Sequence, residues 1–465
     1  MRLQTLSKLA FSCFIACIAA TPLAYGQGGG GGGGGGSVGG IGQAGIDIDA
    51  AGVLRVSHVD PSIAFVQRMA TLQNQPRGAV HTSPLRKVSL NRLEKVVAKC
   101  LVDGTDLSAE ILSLAGLSRI EYVFFLEDSK DIVIAGPADR WFWDANNRLV
   151  GLTTGRATMR LEDLVVGLRA FAPNQGATSI IGCSIDPTAE GIKRMNNYNA
   201  QFGGQLPPGA DIRQLALGMK QSLGMQTISI KGVPANTRFA QVLVEADYRM
   251  KLIGIGLQDP IIPFTTWIER TSPNANKNAL QRWYFQSDYS SVSTDASGTA
   301  LRLQGRGVKL SGEKENVTSD GKRKRTGNVG DKASSGFTKE FTDKFEALAD
   351  VIPVFYEMRN LFDVSVAAAF IQDRGLYEKS GWDLGVFADE DKFAVNTVNG
   401  VTQVESAVNA VWKDAQLITP IGGGVHIAAK NLIDPSNTQV DKDIEYQREK
   451  VSAPADLSAD QWWWD

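Results

Sequence analysis

Apolar residues recur at two periods along the chain, every second residue in some stretches and every third or fourth in others, which predicts a mixed α and β protein. Ile46-Asp47-Ile48-Asp49 and Val53 to Val56 flank the turn Ala50-Ala51-Gly52 as a small hairpin. Ser89 is placed to cap a helix with Leu90, Leu93, Val97 and Cys100 on its apolar face, and Ser108 to cap a short helix ending at Gly116. The β-rich runs 120–126 and 131–135 are separated by Glu127-Asp128-Ser129-Lys130. Trp141 to Trp143 and Arg148 to Leu152 follow, around Asp144-Ala145-Asn146-Asn147. Together they predict an antiparallel meander over 120–152. Leu161, Leu164, Val165, Leu168 and Phe171 predict an amphipathic helix over 160–172, packed on that meander.

Beyond it, two units of another kind are expected. Thr178 to Ser184 reads as a strand, with Asp186-Pro187 opening a helix through Tyr198. Asp211 caps a helix ending at Gly224, Thr227 to Lys231 is a strand, and 237–253 is a helix with Phe239, Val242, Leu243, Ala246, Met250 and Ile253 inward. On that helix Glu245 with Arg249 and Asp247 with Lys251 read as surface pairs at four-residue spacing. After a connection at 259–280, strands are expected at 282–285 and 299–310. The polar stretch 311–336, with Lys322-Arg323-Lys324-Arg325, reads as a solvated loop. A helix begins near Phe341, breaks at Pro353 and resumes as the apolar helix 354–371. Gly422-Gly423-Gly424, between 417–421 and 425–428, reads as a hairpin turn, and residues 434–460 as a polar, disorder-prone tail ending in Trp462-Trp463-Trp464-Asp465. The fold class is therefore α+β: an antiparallel meander with packed amphipathic helices plus two-layer α/β units. It divides into regions 46–258 and 281–430 and a tail from 431 to 465.

The amino terminus changes the picture by supplying an address. Arg2 and Lys8, the apolar stretch Leu9 to Ala20 and the small-residue site Ala24-Tyr25-Gly26 have the form of a signal peptide over residues 1–26, cleaved before Gln27. The mature chain is then expected to be exported and soluble, to the periplasm, envelope or exterior, with no spanning segment. Gly28 to Gly36 and the glycines to Gly45 form a flexible linker over 27–45. With 48 basic against 50 acidic residues, no nucleic-acid partner is expected. Cys13 and Cys17 fall in the signal; Cys100 and Cys183 remain, and two readings stand for them, a disulfide permitted by the oxidising compartment or two separate buried thiols.

Chemistry is thin. His58, His81 and His426 are the whole histidine supply, none beside a second ligand at metal spacing, and no cofactor is expected. His426 reads as structural. Paired carboxylates could still serve a glycosidase, because their separation is set by the fold, but Glu245 and Asp247 are explained as surface pairs. Trp141 and Trp143 share a strand face; they form either sheet core or a platform for a sugar ring, with Arg140 and Asp144 alongside. Trp462, Trp463 and Trp464 either dock on the chain's own body or meet a partner.

Several stretches taken together, Arg119-Ile120-Glu121-Tyr122-Val123-Phe124, Ile134-Ala135-Gly136-Pro137-Ala138, Leu161-Glu162-Asp163-Leu164, Cys183-Ser184-Ile185-Asp186-Pro187-Thr188 and Val244 to Lys251, resemble a family of exported planctomycete proteins known as domain of unknown function 1598. The similarity covers about residues 45 to 430 and implies export; it implies no activity. The expected function is a non-catalytic binding or envelope-associated factor, with an envelope protein or a polysaccharide as partner. The alternative is an extracellular polysaccharide hydrolase using unrecognised carboxylates.

Overall fold

The structure is a computed structural model that describes residues 45–56, 61–74, 81–144, 146–176, 178–201, 211–271, 279–317, 323–329, 332–409, 421–454, 457–458 and 460–465. The expected signal peptide, nearly all of the glycine linker, and His58 lie outside the described residues.

The hairpin β1 (Ile46–Ile48) and β2 (Val53–Val56) forms as expected, its turn held by the Asp49 carboxylate accepting from Ala51 and Val53 N–H. Helix α1 (Pro61–Asn74) follows, then β3 (Ser83–Ser89) and α2 (Leu90–Asp103), where Ser89 caps by accepting from Arg92 N–H. Ser108 likewise caps α3 (Ala109–Leu112). The hairpin β4 (Tyr122–Leu126) and β5 (Asp131–Ala138) is in place. β6 (Trp141–Trp143) and β7 (Leu149–Gly151), however, pair only with each other in a two-stranded sheet rather than extending the meander. Helix α4 (Leu161–Ala170) has α11 and α7 as its main partners, not the meander.

β8 (Ile181–Pro187) runs through Asp186-Pro187, so Pro187 closes a strand and Thr188, accepting from Gly191 N–H, starts α5 (Ala189–Ala200). Proline is tolerated there because β16 pairs with β8 only as far as Ile185, leaving Pro187 beyond the ladder on that side. Next come α6 (Ile212–Leu223), capped by Asp211 as expected, β9 (Met225–Lys231), α7 (Arg238–Gly254) and α8 (Trp267–Arg270). Strands β10 (Ala279–Asp288), β11 (Ser291–Thr294), β12 (Ala300–Gln304), β13 (Gly307–Val317) and β14 (Arg323–Val329) precede α9 (Lys332–Asp343) and α10 (Phe345–Val351). The stretch expected as a solvated loop at 311–336 is thus largely strand, with Arg323, Lys324 and Arg325 on β14. Pro353 separates α10 from α11 (Val354–Asp373), which is buried on all sides from residue 354 to 371 and is the hub of the core. The remaining elements are α12 (Leu376–Ser380), β15 (Gln403–Glu405), β16 (Ile421–Ile427), α13 (Ala429–Ile433), β17 (Gln439–Val440), α14 (Lys442–Lys450) and β18 (Trp463–Trp464).

Two large sheets organise these elements. One has the order β1-β2-β15-β9-β8-β16-β10-β13-β14, the other β17-β11-β12-β4-β5-β3-β18. Each draws strands from both 46–258 and 281–430. The expected hairpin at Gly422-Gly423-Gly424 is instead one continuous strand, β16, antiparallel to β8 and parallel to β10. Glycine is needed because a Cβ at Gly423 would come within 1.9 Å of the Trp283 carbonyl oxygen, and one at Gly424 within 2.1 Å of that of Cys183.

The carboxyl-terminal stretch is also ordered where it is described, carrying α14 and β18. Trp463 and Trp464 pair with Val88 and Lys87 of β3, and Ser89 N–H donates to the Trp462 carbonyl at 2.8 Å. Trp462 and Trp464 are buried, and Arg86 lies 4.4 Å under the Trp463 ring while donating to both Asp465 oxygens at 2.9 and 2.8 Å. These indoles dock on the chain's own sheet.

Candidate functional site

The nine-stranded sheet has two unlike faces, and strand alternation assigns each residue to one of them. Ile230, Cys183, Val425, Phe285 and Leu310 form one cross-strand row, and Ile228, Ile185, Gly423, Trp283 and Gly312 the next. These face α7 and α9, which pack on β8, β16 and β13. The opposite face carries three polar rows. Lys231, Gly182, His426, Gln286 and Lys309 make the first; Ser229, Ser184, Gly424, Tyr284 and Ser311 the second. In the third, Thr227 pairs with Asp186, and Arg282 with both Gly422 and Glu313.

The result is a trough of about 400 Å³ across β9, β8, β16, β10 and β13, floored by Gly182 and Gly424 and lined by Ser184, Ser229, Lys231, Arg282, Tyr284, Glu313 and His426. Arg282 donates to Asp186 at 2.8 Å and Gln286 to Ser311 at 2.7 Å, which holds those side chains upright. Ser184, Ser229, Lys231 and Tyr284 make no side-chain hydrogen bond among the described residues, so their polar groups are available to a ligand. His426 is exposed in the first row, on the open side of the sheet rather than within an apolar hairpin. Alternation along the strands was legible in the sequence, but the trough was not, since its rows come from five strands distant in sequence and its floor depends on glycines that read as a turn.

Of the surface pairs expected on α7, Asp247 and Lys251 are buried beneath this sheet, while Glu245 is buried elsewhere and its partner Arg249 is half-buried. Lys251 donates to Asp247 at 2.8 Å and to the Ile185 carbonyl at 3.1 Å, with both side chains sealed from solvent. Burial is the main influence on Asp247, raising its pKa to about 6 despite the opposing Lys251 charge. Glu245, also fully buried, accepts from Arg148 at 2.7 and 2.9 Å and from Arg249 at 2.7 Å. Arg148 continues to Glu357, which Arg238 also contacts on its way to Asp163, a chain of buried charges linking the β6–β7 hairpin to α4, α7 and α11. Burial raises Asp163 and, against the hydrogen bonds of Arg148 and Asn146, Asp144.

The other expected site residues scatter. Trp143 is exposed and stacks on Arg160 at 4.6 Å, while Trp141 is half-buried beside Gly116; they sit on the small β6–β7 sheet, away from the trough. Asp144 is a turn residue, its carboxylate accepting from Asn146 and Arg148 N–H at 2.8 Å. Cys100 and Cys183 are free thiols, Cys100 half-buried on α2 and Cys183 buried in β8, where burial raises its pKa well above the usual thiol range. Cys100 and Cys183 are therefore not joined in a disulfide. No group of three or more histidine, cysteine or carboxylate side chains among the described residues could hold a metal ion. No helix among them is long and apolar enough to cross a membrane.

Residues 183–265 match a family model described as a protein of unknown function (DUF1598). That stretch is shorter than the 45–430 of the sequence resemblance, and it contains most of β8 together with α5, α6, β9 and α7, which supply Ser184, Ser229 and Lys231 to the trough. No curated protein and no solved structure matches the chain.

Proposed function

We propose that the chain is an exported, non-catalytic binding protein whose ligand, a polysaccharide segment, lies along the polar trough of the nine-stranded sheet. The observation that carries this reading is the set of three polar rows laid over a glycine floor. The floor leaves room for a flat chain, Tyr284 offers an aromatic face, and Ser184, Ser229, Gln286 and Lys231 offer donors and acceptors at the spacing of neighbouring strands, about 4.8 Å. Charge supports a neutral polyhydroxylated ligand over a polyanion. Lys231, Arg282 and Lys309 are offset by Asp186 and Glu313 on the same face, and Arg282 is already tied to Asp186. The buried carboxylates Glu245, Asp247 and Glu357 are each held by a cation, which favours a structural role for them over hydrolysis.

Affinity electrophoresis of the purified protein through gels holding different soluble polysaccharides tests the reading. Retardation by at least one neutral glycan is expected, with Tyr284→Ala reducing the association constant about tenfold, the loss of a stacking contact and its neighbours. Absence of retardation by every glycan, retardation unaffected by Tyr284→Ala, or release of reducing ends from the retarding glycan would each overturn it. Amino-terminal sequencing of exported protein tests the address, with Gln27 expected first.

A further inference from the structure

A second cavity, of about 520 Å³, opens beside the β6–β7 hairpin and differs from the trough in chemistry. Part of its wall is apolar: Phe142, Val150, Ile352 and Val354 from within, and the exposed Phe65 and Ile261 at the rim. Four carboxylates and three guanidinium groups also line it, and nearly all are engaged. Asp144 accepts from two backbone N–H groups, Asp259 from Ile261 N–H at 2.8 Å, and Asp350 from Arg156 at 3.1 Å and Tyr356 at 3.0 Å. Glu245 takes up Arg148 and Arg249.

Arg68 is the exception. Its guanidinium makes no hydrogen bond or ion pair among the described residues, and its Nε is buried without a partner. The head is held in place without polar contacts. Phe65 lies 5.6 Å away, and Gly155, at a φ of +75° that suits glycine, lets Nη1 approach to where a Cβ would be only 1.8 Å distant. Only Nε is sealed; Arg68 as a whole is half-buried at the cavity wall, and a carboxylate supplies a two-pronged acceptor for its terminal nitrogens.

We propose that this cavity binds an amphipathic monocarboxylate, its carboxylate on Arg68 and its apolar body against Phe142, Val150 and Ile352. The volume is that of a site for a small organic molecule. Phe65 and Ile261 cover the outer part of the body. Ile261 adopts φ +66°, a region that β-branched residues rarely occupy, and this turn presents its side chain at the rim.

The test is displacement of 11-(dansylamino)undecanoic acid from the full chain by decanoate and by decylamine, followed by dansyl fluorescence. Saturable probe binding is expected, with decanoate displacing it at least tenfold more effectively than decylamine and Arg68→Met weakening decanoate at least tenfold. A diazirine-bearing undecanoate, crosslinked and mapped by mass spectrometry, keeps the test independent of how that variant folds. Labelling of peptides holding Phe65, Ile261 or Ile352 is expected. Lack of probe binding, equal displacement by the two amphiphiles, an unaffected Arg68→Met protein, or labelling confined to other peptides would overturn the proposal. None of these readouts involves the sheet trough.

Discussion

Asp247 and Lys251 are sealed together under β16, so the Lys251 ammonium depends on the Asp247 carboxyl as its acceptor. Removing one leaves an unpaired buried ion, typically a loss of about 3–5 kcal/mol, whereas replacing both by apolar groups of similar volume is often neutral. Asp247→Ala is therefore expected to lose stability of that order in urea denaturation, and Asp247→Leu combined with Lys251→Met to recover most of it. The same carboxylate gives a pH signature. Its folded pKa is raised from 3.8 to about 6, so the folded protein holds the proton more tightly than the unfolded chain. The associated stability is greatest below pH 4 and is lost as pH rises through about 6. Since asparagine mimics the neutral acid, the wild-type protein should lose more than about 1 kcal/mol relative to Asp247→Asn between pH 4 and 6.5; parallel curves would show that Asp247 does not titrate there. The four-residue spacing of both α7 pairs was legible in the sequence. The burial of Asp247, Lys251 and Glu245 was not, because it is decided by where β8 and β16 lie over α7 and by the reach of Arg148 to Glu245.

At the scale of elements, β16 shows how glycine can mislead. Three glycines in a row are usual turn chemistry, yet here they let a strand lie close between two others. Gly423→Ala should therefore be far more damaging than helix or strand propensity alone suggests, because the methyl meets the Trp283 carbonyl on β10. Gly176→Ala, where a Cβ meets nothing within 4 Å, serves as the control. Thermal unfolding is expected to show a large fall for the first and little change for the second. Caps were the most legible features: Ser89, Ser108 and Asp211 each do what their position predicts, since a cap depends on residues three or fewer away. The β6–β7 hairpin was legible as a hairpin but not as a separate sheet, because nothing local says which edge a strand will join.

At the scale of the whole molecule, strands from distant parts of the chain alternate across both sheets, and the carboxyl-terminal segment completes one of them. Deleting Gln461–Asp465 removes two buried indoles, each worth roughly 2–3 kcal/mol of burial, and takes the carboxylate away from buried Arg86. The thermal midpoint should fall by about 4 °C or more; an unchanged midpoint would mean that the docked strand contributes nothing. The polar composition of 434–460 read as disorder because the apolar surface it docks on belongs to other parts of the chain.

The position of β16 also sets a timetable. It lies between β8 and β10, both of which leave the ribosome, and on the export reading the translocation channel, well before it does. Until residues 421–427 arrive, two strand edges that will be interior stand open, so the nascent protein is most prone to stray pairing late in its production. The three glycines among its seven residues leave few side-chain rotamers to order as it slides into place, at a larger cost in backbone freedom. The trough does not exist before that moment, so a chain able to hold a ligand there is one whose central sheet has already closed.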